Sequence, residues 1–268
     1  MIRLVVLMSL FGDPTEGRKT APPTAPHVVF RIGGEERGGW PLDPEADGGY
    51  ALLWDEGEIA VLPADPSRQP LRTEAVAVTA IPSDALASGL GHAEEGVRDR
   101  CGELLREQGS LGIPALLRVL DADSADARRR ALLVLVETGG RKQQAKFRSC
   151  ISDRDEKVRQ AALRAYAATT PRDLFEVALH SYESDRALIV RHEAIVLLGR
   201  TGDLRAVEPL LAGMDETMDR SLRLVTFDAL RRITGMSFGR DEEAWRTWWS
   251  NHGEEVLHPE EKEEESAA

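Results

Sequence analysis

VRDRC (97–101), ARRRA (127–131), VRQAA (158–162), VRHEA (190–194) and LRLVT (222–226) are one pattern written five times. Each opens on an apolar or small residue, follows it with an arginine, and ends three residues later on a small one. The arginines Arg98, Arg128, Arg159, Arg191 and Arg223 lie 30, 31, 32 and 32 residues apart. Self-similarity at such a period marks a stack of structural repeats. Seven residues past each arginine stand Leu105, Leu135, Tyr166, Leu198 and Leu230. Positions −1, +3, +4 and +7 form one face of a 3.6-residue helix. The small residue lets a neighbouring helix approach, and the large one fills the space a turn later.

A second helix is expected upstream in each unit. Leu116, Phe147, Leu179 and Leu211 precede their arginines by twelve residues, and Val119, Cys150, Tyr182 and Met214 by nine. The two columns are three apart and again share a face. Pro114 and Pro209 suit a first helical turn. Gly109, Gly139 and Gly202 fall where a glycine would end the second helix. Each unit is thus a helical hairpin whose apolar face is buried only by its neighbours. Four full hairpins are expected after an initial single helix near Val97–Gln108.

The Val-Arg-x-x-Ala pattern with its later leucine and glycine resembles bacterial HEAT repeats, including the short variety named from phycobilisome lyases. The resemblance covers roughly Gly96 to Gly235. It implies an α-solenoid of HEAT-like hairpins and a role in binding proteins; with the small N-terminal β unit read from strand character, the fold class is mainly α. It further implies that Asp153 or Asp155, and Asp185, pair with arginines of the ladder. Ile233-Thr234-Gly235, Phe238-Gly239 and Trp245-x-x-Trp248-Trp249 are similar to a C-terminal cap of environmental bacterial HEAT-repeat proteins. The tryptophans form one stripe, read as a cap, with a ligand platform as the alternative. Asp241 is placed as the N-cap of that helix.

Four regions are expected: an N-terminal segment and linker (1–27), a small β unit (28–82), the helical array with its Trp-rich cap (83–253) and an acidic, disordered tail (254–268). Strand character appears at Val28–Ile32, Tyr50–Trp54, Glu58–Leu62 and Ala75–Ile81. Asp55-Glu56-Gly57 fits a three-residue hairpin loop with a bulge. Gly33-Gly34, Gly38-Gly39 and Gly48-Gly49 read as turns, and Ser83–Glu95 as a joining segment. The apolar run Leu4–Phe11 is too short to span a bilayer. It reads as a first strand or a minimal export signal, so localisation stays open, with the cytoplasm favoured.

The net charge is −12. Residues 1–82 hold 7 basic and 12 acidic side chains, residues 83–253 hold 26 and 27, and residues 254–268 hold 1 and 7. A nearly neutral array argues against a general nucleic-acid binder. The basic run Arg128, Arg129, Arg130, Arg141, Lys142, Lys146 and Arg148 keeps that reading as the alternative. His192-Glu193 resembles the metal-binding pairs of deoxyhypusine hydroxylase, a HEAT-repeat di-iron enzyme. That family uses four pairs, whereas the equivalent positions here are Asp99-Arg100, Arg129-Arg130, Gln160-Ala161 and Leu224-Val225. A metalloenzyme is therefore the third reading, and no metal or cofactor is expected. The other histidines are scattered, and Cys101 and Cys150 fall in core columns as buried thiols.

The expected function is that of a non-enzymatic scaffold holding a protein partner of open identity on the concave surface lined by second helices. The positions left for solvent are +1, +2 and +5. They give the candidate contacts Arg100, Arg129, Arg130, Gln160, Arg164, His192, Glu193 and Asp228, with Leu133, Val196, Leu224 and Val225 as apolar members.

Overall fold

The computed structural model describes residues 23–32, 35–43, 50–62, 70–214 and 218–257. The run Leu4–Phe11, the linker up to Pro22, the glycine pairs 33–34 and 48–49, and the tail beyond Leu257 lie outside them. The chain is mainly helical with a small N-terminal antiparallel sheet. It divides into two compact units, Met1–Gly139 and Gly140–Ala268.

The first unit opens with strands β1 (Thr24–Ile32), β2 (Glu35–Asp43), β3 (Tyr50–Trp54), β4 (Ile59–Leu62) and β5 (Arg72–Ala77), ordered β4-β3-β2-β1-β5. β2 is an addition to the expected strands, because its sequence EERGGWPLD lacks the usual apolar alternation. Gly38-Gly39 is no turn but the middle of β2. A Cβ on Gly39 would stand 2.6 Å from the Leu53 carbonyl oxygen, and one on Gly38 would strike His27 and Asp55. Glycine inside a strand marks such close approach. The 55–57 loop forms as expected: Trp54 N–H donates to Glu58 O (2.8 Å), Gly57 N–H to Trp54 O (2.8 Å), and Gly57 has φ +89°.

The expected strand Ala75–Ile81 stops at Ala77, and Val78–Ala80 form a 3-10 turn. The cause is Gln108, a buried amide 30 residues on. Its Nε2 donates to Val78 O (3.0 Å) and Ile81 O (2.7 Å), while its Oε1 accepts from Ser83 Oγ (2.7 Å). These carbonyls are satisfied by a side chain instead of a ladder.

Helices α1 (Ser83–Gly89), α2 (Glu95–Gln108), α3 (Ile113–Val119) and α4 (Ala125–Gly139) complete this unit. The segment expected to join sheet and array thus holds α1, a seven-residue helix too short for its period to be read. A Cβ on Gly89 would collide with the Cys101 sulfur and approach Ile59 Cδ1 to 2.8 Å, so α1 lies pressed between β4 and α2.

The second unit holds α5 (Gln144–Cys150), α6 (Glu156–Ala168), α7 (Leu174–Ser184), α8 (Leu188–Thr201), α9 (Val207–Ala212), α10 (Arg220–Thr234) and α11 (Glu242–Leu257). The long helices α2, α4, α6, α8 and α10 carry the ladder. Their −1, +3 and +7 residues are all buried, from Val97 and Cys101 at 0 % to Ala127 at 5 % exposure. Gly109 (φ +59°) and Gly202 (φ +67°) follow α2 and α8 in the left-handed region. After α4 that role falls to Gly140 (φ +51°), while the expected Gly139 stays helical.

Ladder arginines stitch the hairpins. Arg98 donates to the carbonyls of His92 (2.7 Å) and Ala93 (2.5 Å), Arg128 to Ala122 and Asp123 (both 2.8 Å), and Arg159 to Asp153 (3.0 Å) and Arg154 (3.3 Å). Each therefore satisfies the turn before its own helix. Forward along the chain, Arg98 Nε meets Asp126 Oδ2 at 3.3 Å and Arg159 grips Asp185 with two bonds of 2.7 and 2.8 Å. Asp155 instead caps α6, accepting from Lys157 and Val158 N–H.

α11 ends the second unit. Asp241 accepts from Ala244 N–H (3.0 Å), as an N-cap should. Trp245 is fully buried, with Nε1 donating to Gly239 O (3.2 Å) and its ring edge-on to Phe238 at 4.9 Å. Arg246 donates to Leu211 O and Met214 O at 2.7 and 2.8 Å, tying α11 to α9. The helix runs on to Leu257, so the first four residues of the expected disordered tail are helical.

Candidate functional site

The ladder commits one face of each second helix to the core, and the adjoining face carries the candidate contacts. In the first unit Arg100 pairs with Glu103 (2.9 Å) and stands 3.9 Å from Glu107. Arg129 pairs with Asp126 (2.7 Å), and Arg130 reaches both Asp126 (3.0 Å) and Asp99 (2.5 Å). Burial pushes the Asp126 carboxyl up, but hydrogen bonds from Arg129 and Arg130 outweigh it and hold the group below the usual carboxylate range. Arg106 and Glu137 add a bridge of 2.8 Å from α2 to α4. Sequence reasoning missed Asp99, Arg106 and Glu137, although their spacing of about one repeat from their partners was the available signal.

Between α2 and α4 runs a groove of about 210 Å³ lined by Leu90, Gly102, Arg106, Arg130, Leu133 and Val134 among others. Gly102 holds the +4 position that Leu132, Leu163, Ile195 and Phe227 fill in later repeats. Leu133 remains 38 % exposed there, ringed by the Arg106–Glu137 and Arg130–Asp99 pairs.

In the second unit Arg164 Nε donates to Glu193 Oε2 at 2.5 Å. Glu193 is only 5 % exposed, which corrects its expected place on a solvated face. A buried carboxylate needs such a charged donor. Gln160 and His192 are half-buried. Asp228 is exposed and pairs with Arg231 (3.2 Å). It lines a cleft of about 330 Å³ with Leu224, Phe227, Arg231, Ser237 and Arg240. Leu224, Val225 and Val196 are half-buried.

Within the basic run, four of the seven cations are engaged by named partners. Arg128 is 3 % exposed and serves backbone carbonyls, while Arg129 and Arg130 are held by carboxylates. Arg148 pairs with Asp173 (2.8 Å) and lies over the Tyr166 ring. Among the described residues no group of three or more His, Cys, Asp or Glu side chains is placed to hold a metal ion. Nor is any described helix long and apolar enough to cross a membrane.

Residues 144–231 match the family described as HEAT repeats. This stretch, α5 to most of α10, is therefore a HEAT-repeat domain, built of helical hairpins of the kind that stack into a solenoid. No curated protein matches the chain.

Proposed function

We propose that the chain is a non-enzymatic scaffold that holds a protein partner on the faces of its second helices. HEAT repeats are commonly protein-interaction scaffolds. The observation that carries the reading here is Leu133, an exposed leucine seated in a groove beside a residue with no side chain and ringed by mixed ion pairs. An apolar anchor within a polar, charge-balanced rim is the anatomy of protein interfaces. Of the contacts, Arg130 lines this groove, Arg100 pairs with its lining residue Glu103, and Arg129 lies on the same helix as Leu133; Gln160, Arg164, His192, Glu193 and Asp228 are assigned to the corresponding faces of the second unit. The neutralised arginines of 128–130 favour a protein over a phosphate backbone. The regions 1–27, 28–82, 83–253 and 254–268 belong to the same reading, the third carrying the interaction.

Reversing Arg130 or Arg164 would be a poor test, since it would set a carboxylate beside Asp99 and Asp126, or beside the buried Glu193. Leu133→Asp is better, because the side chain is exposed and makes no polar contact. Affinity capture from the native host should recover a partner with the wild-type chain and lose it with Leu133→Asp, at unchanged melting temperature. Retention of the same partner by Leu133→Asp would refute this reading for the groove.

A further inference from the structure

The tryptophan stripe of α11 divides in two. Trp245 turns inward and is fully buried, whereas Trp248 stays partly exposed. Phe238 stands 6.1 Å from Trp248 at 41°, and His252 stacks on it at 5.9 Å and 15°. These rings wall an open cleft of about 500 Å³, whose rim carries Asp241 and Glu243. His252 Nδ1 lies 2.9 Å from the Trp248 carbonyl oxygen, which can only accept. Nδ1 therefore donates, which fixes the ring beside Trp248. Asp241 spends Oδ1 on Ala244 N–H and keeps Oδ2. Neither lysine nor arginine lines the cleft. It thus offers aromatic faces and two carboxylates, with no lysine or arginine of its own.

We propose that this cleft binds an arginine side chain from a basic segment of another protein. A guanidinium is planar, weakly hydrated and rich in donors, so it can stack on an indole while bonding carboxylates at its edge. The neighbourhood complements such a ligand. Residues 241–257, which carry the cleft, hold five acidic side chains and one basic, and residues 258–268 of the sequence add five acidic and one basic. A field of one sign attracts an oppositely charged segment and speeds its encounter. The site is separate from the Leu133 groove and does not rest on the reading given for it.

The test uses the full chain and a fluorescein-labelled peptide of alternating glycine and arginine, with the glycine–glutamine peptide as control, read by fluorescence anisotropy. The arginine peptide should bind and the glutamine peptide should not. Trp248→Ala should weaken binding about tenfold, the size of a partly desolvated cation–aromatic contact, and Trp248→Phe should restore most of it. Glu243→Lys, an exposed change that leaves the core intact, should weaken binding by a similar factor, so the site stays testable if Trp248→Ala folds poorly. Deleting residues 258–268 should lower affinity in a salt-dependent way, with the effect of Glu243→Lys retained in the shortened chain. Undiminished binding by Glu243→Lys would overturn the proposal, as would loss of all binding on deletion of 258–268 alone.

Discussion

Arg159→Ala removes the best-formed clamp in the ladder. The arginine makes two bonds to Asp185 and two to the carbonyls of Asp153 and Arg154. The side chains are 18 % and 12 % exposed, so solvent screens the pair only weakly. Truncation leaves Asp185 with the Ala187 N–H (2.9 Å) as its remaining hydrogen-bond donor. Breaking a buried pair from one side costs about 3–5 kcal/mol, and the residual exposure places this one near the low end, about 3 kcal/mol. For a chain of this length that corresponds to a fall of about 6–12 °C in melting temperature. Thermal unfolding followed by circular dichroism at pH 7 measures it. Arg231→Ala, which breaks an exposed pair with Asp228, is the control and should melt within about 1 °C of wild type. If Arg159→Ala and Arg231→Ala melted alike, the structural role assigned to the arginine ladder would be wrong.

Acid should unlock the same clamp. Burial pushes the Asp185 carboxyl up, but the Arg159 and Ala187 donors outweigh it and hold its pKa below the usual carboxylate range. A depressed folded pKa adds stability above the unfolded value, about 3.9, that is lost as pH falls through the folded value. Asp185→Asn should therefore lower stability at pH 7 and flatten its decline below about pH 4. Gly213→Ala should destabilise the second unit, because a Cβ there would collide with the Tyr182 hydroxyl; an unchanged denaturant midpoint would disprove the clash. Burial pushes the Cys101 thiol up to about 12. In the native protein at pH 8 iodoacetamide should leave Cys101 unmodified, with labelling on addition of denaturant; peptide mapping decides it.

The helical part was legible because its signal repeats. Five copies of one spacing placed the −1, +3 and +7 columns, and every one of those residues is buried. Asp185 was legible as a partner for the ladder, expected to pair from the turn before its arginine, whereas it is taken by Arg159, 26 residues upstream. What escaped was set by single contacts between distant residues. β2 is a strand because neighbouring strands hold it, with glycines making room for Leu53, His27 and Asp55. β5 ends at Ala77, where Gln108 takes the next carbonyls, Val78 and Ile81, from 30 and 27 residues away. Glu193 read as solvent-facing from its +2 position, but it is buried and its carboxylate is met by the more exposed Arg164 of the preceding second helix. The tryptophan stripe read as a single surface, whereas Trp245 is fully buried edge-on to Phe238 and Trp248, one turn later, stays partly exposed.

The ladder clamp has a direction. Arg98 reaches forward to Asp126 and Arg159 to Asp185, each acid standing at the entrance of the following second helix. Arg223 has no further repeat ahead of it, and Glu242, in the first turn of α11, takes the acid's place at 2.6 Å. The final helix thus impersonates the next module in charge as well as in shape. Such an arrangement makes repeat number an editable quantity. A hairpin that brings its own arginine and its own entrance acid carries both halves of the connector that Arg223 and Glu242 form at the end of the array.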